Sequence, residues 1–213
     1  MTARALRCRG GFAALLAMSF AALGLSVALA VSMGEMHIPM ATVGLSMTNH
    51  LGWTDAQISR IQDSVIWELR LSRALVAALC GAGLAICGAI LQSLLRNTLA
   101  EPYVLGVSAG ASTGAVAVII LGIGAGVVSL SAGAFAGALA AFAFVALLSD
   151  GGRGGPDRTI LAGVAAAQMF NALTAYVVTT SGNAQQARDV MFWLLGSFGG
   201  VRWPEFQLLA VVM

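Results

Sequence analysis

Residues 102–149 read PYVLGVSAGASTGAVAVIILGIGAGVVSLSAGAFAGALAAFAFVALLS, and no side chain in that run carries a formal charge. A helix needs about 20 apolar residues to cross the hydrocarbon core of a bilayer, so this run is too long for one crossing. The glycines at 122, 124 and 126 interrupt it near its middle. The stretch therefore predicts two helices joined by a tight turn, both in lipid. Inside a bilayer, backbone amides must pair within the protein, which a helix does by itself.

Outward from this run, further charge-free intervals repeat the pattern: Gly11–Gly34, Ala74–Leu95 and Thr159–Thr180, with another beginning near Phe206. The predicted fold class is all-α, a polytopic helical membrane protein with five complete transmembrane helices and the start of a sixth. That last segment runs into Met213 as Leu-Leu-Ala-Val-Val-Met. A helix ending there in lipid would leave carbonyls unpaired, so the sequence is expected to be cut from a longer one. The first helix carries Arg4, Arg7 and Arg9 ahead of it and Ala28-Leu29-Ala30 near its end, which resembles a secretory signal. Its length and the spans that follow favour a retained helix with a cytoplasmic N-terminus. The connections at 95–101 and 149–158 then lie inside, and the segments 35–73 and 181–205 outside.

Composition agrees. Charged residues make up 9% of the chain and hydrophobic ones 59%, with a mean hydropathy of +0.89. A soluble domain carries about 25% charge, so the bilayer must solvate most of these side chains. A net charge of +2, all of its basic residues being arginine, is too small for a nucleic-acid surface. Three cysteines make no disulfide framework; Cys80 and Cys87 share a helix face as small packing residues, and Cys8 is placed wrongly for a lipid anchor.

Chemistry-bearing residues are sparse. No charge falls inside a span, which argues against a proton relay or a pair of intramembrane aspartates. There is no HExxH, GxSxG or P-loop. No cofactor or metal and no catalytic residue is expected. Polar residues do enter the spans: Gln92 and Ser93 in the second, Gln168, Asn171 and Thr174 in the fifth. The latter three advance by three along one side of a helix, either as interhelical hydrogen bonds or as a stripe facing a pathway. On the outer side, Met33, Met36, Met40 and Met47 with His37 and His50 could hold copper or could simply pack. Thr54-Asp55-Ala56-Gln57 reads as a capping box, followed by Ile58, Ile61, Val65 and Ile66 at helical spacing, a pattern that predicts a short surface helix. Gly106, Gly110 and Gly114, like Gly133 and Gly137, have the four-residue spacing that lets helices in lipid approach closely.

The most distinctive string is Gly88-Ala-Ile-Leu-Gln92-Ser-Leu-Leu-Arg96-Asn97-Thr98-Leu99-Ala100-Glu101-Pro102-Tyr-Val-Leu-Gly106-Val-Ser-Ala-Gly110. Arg96 ends a helix; Asn97 and Pro102 shape a re-entry; the glycines admit close packing. It resembles the signature of the FecCD-type permeases, the membrane subunits of ABC importers for iron–siderophores, haem and cobalamin. Trp67-Glu-Leu-Arg70-Leu-Ser72-Arg73, Ile160-Leu-Ala-Gly163-Val-Ala165 and Phe192-Trp-Leu-Leu-Gly196-Ser-Phe-Gly-Gly200 with Trp203 resemble further motifs of that family, in order and spacing.

The resemblance implies that residues 1–213 are the N-terminal part of one FecCD-type permease domain of ten spans, in the inner membrane. It implies a second permease subunit, two cytoplasmic ATPase subunits that hydrolyse ATP, a periplasmic binding protein and a metal-chelate substrate. Arg70 and Arg73 match the positions that take carboxylates of the binding protein. Gln168, Asn171 and Thr174 fall on the helix that lines the pathway in relatives. The signature loop comprises Gln92, Arg96, Asn97, Leu99, Ala100, Pro102, Gly106 and Gly110. Ser72 and Thr98 stand where the family usually has proline, which is expected to loosen both helix starts. A chain lacking the later helices would be a non-transporting remnant or an assembly protein, the alternative expectation.

Overall fold

A computed structural model describes residues 3–123, 129–151, 153–181 and 183–213, with side chains of residues 3–10 and 181 excepted. The side chains of Arg4, Arg7, Cys8 and Arg9, and the residues Gly124 and Gly126, which the sequence reading used, therefore lie outside what can be described. Among the described residues the chain is all helical. It forms two compact units, Met1–Gly83 with Phe198–Met213, and Leu84–Ser197.

The first unit begins with α1 (Ala3–Ser32), whose apolar part Gly11–Ser32 is long enough to span a membrane. Pro39, extended at φ −58° and ψ 143°, starts α2 (Met40–His50), its carbonyl accepting from Thr42 and Val43 N–H. The sequence reading saw only an outer loop here. The capping box expected at Thr54 does not form. Asn49 holds that stretch instead: its Oδ1 accepts from Thr54 Oγ1 at 2.8 Å and Ala56 N at 3.0 Å, and its Nδ2 donates to Ala56 O. The helix starts later, as α3 (Arg60–Ser64), and is no separate surface element. It continues through a π-helical segment, Val65–Leu71, into α4 (Ser72–Leu95). Arg60–Leu95 is thus one helical run of 36 residues, about 54 Å long and well beyond a bilayer core.

Ser72, where the family usually has proline, is fully buried and donates to Glu68 O at 2.8 Å. The hydroxyl links the first residue of α4 to the π segment before it. Val31, Ile38, Val43, Ile66 and Leu71 form the core of this unit, with Trp67 and Trp203 packed on it. A last helix (Trp203–Val212) also belongs here; Pro204 sits in its first turn, and Glu205 accepts from Arg202 N.

The second unit starts in α4, which ends at Leu95 as Arg96 turns left-handed at φ 49°. Asn97 Oδ1 accepts from Leu99 N, its carbonyl accepts from Ala100 N, and a 3-10 turn Pro102–Leu105 follows. Gly106, at φ 67°, then opens α5 (Val107–Leu121), which Gly122 closes in the same conformation. The remaining helices are α6 (Leu130–Leu148), α7 (Gly155–Ser181) and α8 (Ala184–Leu195), so the Trp203–Val212 helix is α9. Ala109, Ala141, Val145, Ala162, Ala166 and Phe170 form the core of this unit, with Phe144 edge-on to Phe170.

The predicted hairpin of α5 and α6 is present. Its helices touch backbone to backbone: a Cβ on Gly110 or Gly114 would overlap the carbonyl of Gly137 or Gly133, and one on Gly137 would overlap that of Gly110. Small residues here are packing, as four-residue spacing in lipid implies. At 15 residues α5 is about 22 Å long, short of the usual crossing, whereas α6 and α7 are long enough.

Candidate docking and translocation sites

Arg70 lies at the end of the π segment, half-buried, and its guanidinium closes the C-terminal end of α1. Nη1 donates to Val31 O and Ser32 O, both at 2.9 Å, and Nη2 donates to Met36 O at 2.5 Å. The last carbonyls of a helix have no partner within it, and a planar cation with five donors suits that end in hydrogen bonding and in charge. Gly34 leaves room for the fork: a Cβ there would lie 2.6 Å from Nη2. Arg73, about one turn on, donates from Nη2 to Gly199 O at 2.6 Å, while its buried Nε has no partner among the described residues. Arg70, Arg73 and Glu35 line one cavity of about 730 Å³ with Phe198 at its edge. The two arginines matched to docking positions thus share one recess.

Beside it, His50 stacks on Trp67 with ring centres 3.9 Å apart, and Trp67 meets Trp203 at 5.1 Å. His50 Nε2 lies 3.1 Å from Asp63 Oδ2, whose Oδ1 accepts from buried Ser46 at 2.5 Å. Met47 packs against the core of this unit, while His50, Met33, Met36 and Met40 are exposed. Among the described residues no group of three or more His, Cys, Asp or Glu side chains is placed to hold a metal ion.

The four family-like motifs pair up in space. Trp67–Arg73 meets Phe198–Trp203 through Arg73 and Trp203 in the first unit. In the second, the signature loop meets the start of α7: a Cβ on Gly106 would lie 2.9 Å from Ala167 N and 3.1 Å from Gly163 O, and one on Gly163 would overlap Val104 O. Sequence spacing marked these glycines without showing which faced which. Within the loop, Ala100 is buried with Leu91 and Leu95, while Gln92, Arg96, Asn97 and Leu99 are exposed.

The polar stripe of α7 divides. Thr174 is half-buried and lies 2.8 Å from Thr113 Oγ1 of α5, an interhelical hydrogen bond. Gln168 and Asn171 are exposed, on a face otherwise made largely of alanines and other apolar residues. Among the described residues their amides have no hydrogen-bond partner, and an amide left so in hydrocarbon costs several kcal/mol.

The segment 181–205, expected wholly outside, folds part of itself back. Asn183 caps α8, accepting from Gln185 N and Gln186 N, and Gln186 returns a bond to Asn183 N. Gln186 Nε2 reaches Ile119 O near the end of α5, whereas Trp193 and Ser197 line a cavity of about 430 Å³ with Ser108 and Ser112 near its start. So α8 runs antiparallel along α5 for about 18 Å, as a half-helix. The capping box Asn183-x-x-Gln186 was the signal the sequence reading missed.

Comparison with known proteins places this arrangement. A sequence model described as the FecCD transport family matches residues 22–213. A cobalamin import system permease protein BtuC of Halobacterium salinarum is 40% identical over 144 residues, 67% of this chain and 38% of the relative. A vitamin B12 import system permease protein BtuC of Klebsiella pneumoniae is 39% identical over 151 residues, 70% of this chain and 44% of its own. A solved structure of an inward-facing metal-chelate type ABC transporter superimposes with a TM-score of 0.68 at 26% identity, covering 87% of this chain and 54% of that one. The matched regions span less than half the length of these two curated relatives. With four motifs in order and packed in pairs, and a family match over most of its length, the chain belongs to the FecCD transport family.

Proposed function

We propose that the chain forms part of the membrane permease of an ABC importer for a bulky metal chelate, with cobalamin the preferred cargo over a ferric siderophore or haem. The similarity to BtuC-type permeases supports the cargo class. The exposed amides of Gln168 and Asn171 on α7 are the observation that carries the pathway. Facing lipid they would cost several kcal/mol each, so this face meets water, cargo or other polar surface. Thr174 holds α7 against α5 and serves the path through position only.

The recess of Arg70 and Arg73 supports docking of carboxylates from a binding protein on the outer side. Arg70 spends Nη1 on the end of α1 and Nη2 on Met36 O and contributes charge, while Arg73 offers the more open contact. In this reading α1 starts in the cytoplasm of a bacterial cell, the permease pairs with a second permease subunit, and two separate ATPases hydrolyse ATP; the chain itself is no enzyme.

The test is uptake into proteoliposomes holding the complete permease, its ATPases and its binding protein. Radiolabelled cobalamin should accumulate with ATP. Gln168→Leu with Asn171→Leu should lower the rate while leaving the thermal melt unchanged. Uptake of a ferric siderophore but not cobalamin would reverse the cargo assignment; full activity of the double variant would remove the pathway assignment.

A further inference from the structure

The second unit holds an apolar slot of about 520 Å³ between the end of α4, the end of α6 and the start of α7. Leu91, Leu94, Leu95, Phe142 and Val145 give its wall an apolar character, and Arg153 is its one charged lining residue. Two hydroxyls also line it, yet both are already spent: Ser149 Oγ donates to Ala146 O and Thr159 Oγ1 to Gly155 O. Nearby Arg158, which does not line the slot, donates from Nε to Leu148 O in the last turn of α6. The Arg153 guanidinium, exposed, has no partner among the described residues. Glu101, Asp150 and Asp157 are exposed, but none lines the slot or forms an ion pair with it.

The slot thus offers a long apolar surface and, among its lining residues, one cation without a partner. Its ligand must have an apolar body and one anionic end. It opens among helix ends in a chain solvated by lipid, where phospholipid is the abundant molecule of that form. A basic residue beside a cleft at helix ends suits an anionic headgroup. We propose that this slot binds an anionic phospholipid, an acyl chain along Leu91 and Phe142 and the phosphate on Arg153. The inference does not rest on the cargo or pathway assigned above.

Native mass spectrometry of the full-length protein, extracted from membranes and exchanged with phosphatidylglycerol or phosphatidylcholine, reads this directly. The protein should retain phosphatidylglycerol preferentially. Arg153→Gln should weaken that retention about fivefold, the worth of one arginine at an anionic headgroup, with phosphatidylcholine unchanged. Ala146→Trp, which fills the slot, should expel both, and Arg60→Gln, in the other unit, should change neither. A phosphatidylglycerol carrying a photoreactive group in its acyl chain should label the peptide containing Leu91–Leu95 in the unaltered protein. Equal retention of the two lipids, unchanged retention in Arg153→Gln, or no label on that peptide would overturn the proposal; the last would mean that protein fills the slot.

Discussion

Arg73 Nη2 donates to Gly199 O at 2.6 Å, joining positions 126 residues apart and tying the start of the second span to the approach to α9. A charge-assisted bond of this kind contributes about 1.5 kcal/mol. Arg73→Gln should therefore loosen the 198–202 segment, and trypsin should cut faster after Arg202. Arg73→Lys should recover only part of the protection, since a single ammonium on a flexible stem lacks the planar fork.

Arg70 has a different job. It binds the last two carbonyls of α1 and that of Met36 beyond it, so its loss leaves helix-end groups without a partner. Arg70→Gln should lower the stability of the detergent-solubilised protein by about 2 kcal/mol or more. The midpoint of a thermal melt should fall further than for Arg73→Gln. Equal effects would mean that the α1 carbonyls find other donors.

The glycines of the α5–α6 hairpin admit no side chain. Gly114→Ala or Gly137→Ala should cost about 1–3 kcal/mol by forcing the helices apart. Gly88→Ala, in α4 with nothing within 4 Å of an added Cβ, should instead stabilise by about 0.5–1 kcal/mol. Thermal unfolding of the three variants side by side checks the contrast in sign.

Gly106 combines two demands, a φ of 67° and a neighbour at 2.9 Å from any Cβ. Gly106→Ala should cost about 1–2 kcal/mol from backbone conformation alone, and more from the clash with Ala167 N. Because that neighbour is backbone, trimming Ala167 to glycine should not rescue the variant. A rescue seen in the melt would place the strain in side chains.

Thr113 and Thr174 form the polar bridge between α5 and α7. A double-mutant cycle with valine at each position should give a coupling of about 0.6 kcal/mol. No coupling should appear between Thr113 and Gln168, whose side chain is exposed.

The spans were legible because lipid imposes a crude rule, long runs without charge, that survives without any knowledge of packing. The tight α5–α6 approach was legible too, since Gly110, Gly114, Gly133 and Gly137 carry it in their spacing. Three features were not. Thr54-Asp55-Ala56-Gln57 has the pattern of a helix start, yet Asn49 offers those backbone groups better partners from a neighbouring helix. The pairing of Arg73 with Gly199 and of Gly106 with Gly163 depends on tertiary contact, which local pattern does not encode. The α7 stripe divides because steps of three turn Thr174 about 120° away from Gln168, enough to put one against α5 and leave the other exposed.

The π-helical segment Val65–Leu71 has an evolutionary consequence. Adding or deleting one residue in an α-helix turns everything beyond it by about 100°. A wider turn absorbs such a change locally. This segment therefore sets the rotation of the span that follows, and a residue gained or lost within it would be absorbed without turning that span. Elsewhere in the 36-residue run a single insertion would present lipid-facing side chains to the protein and packing side chains to lipid.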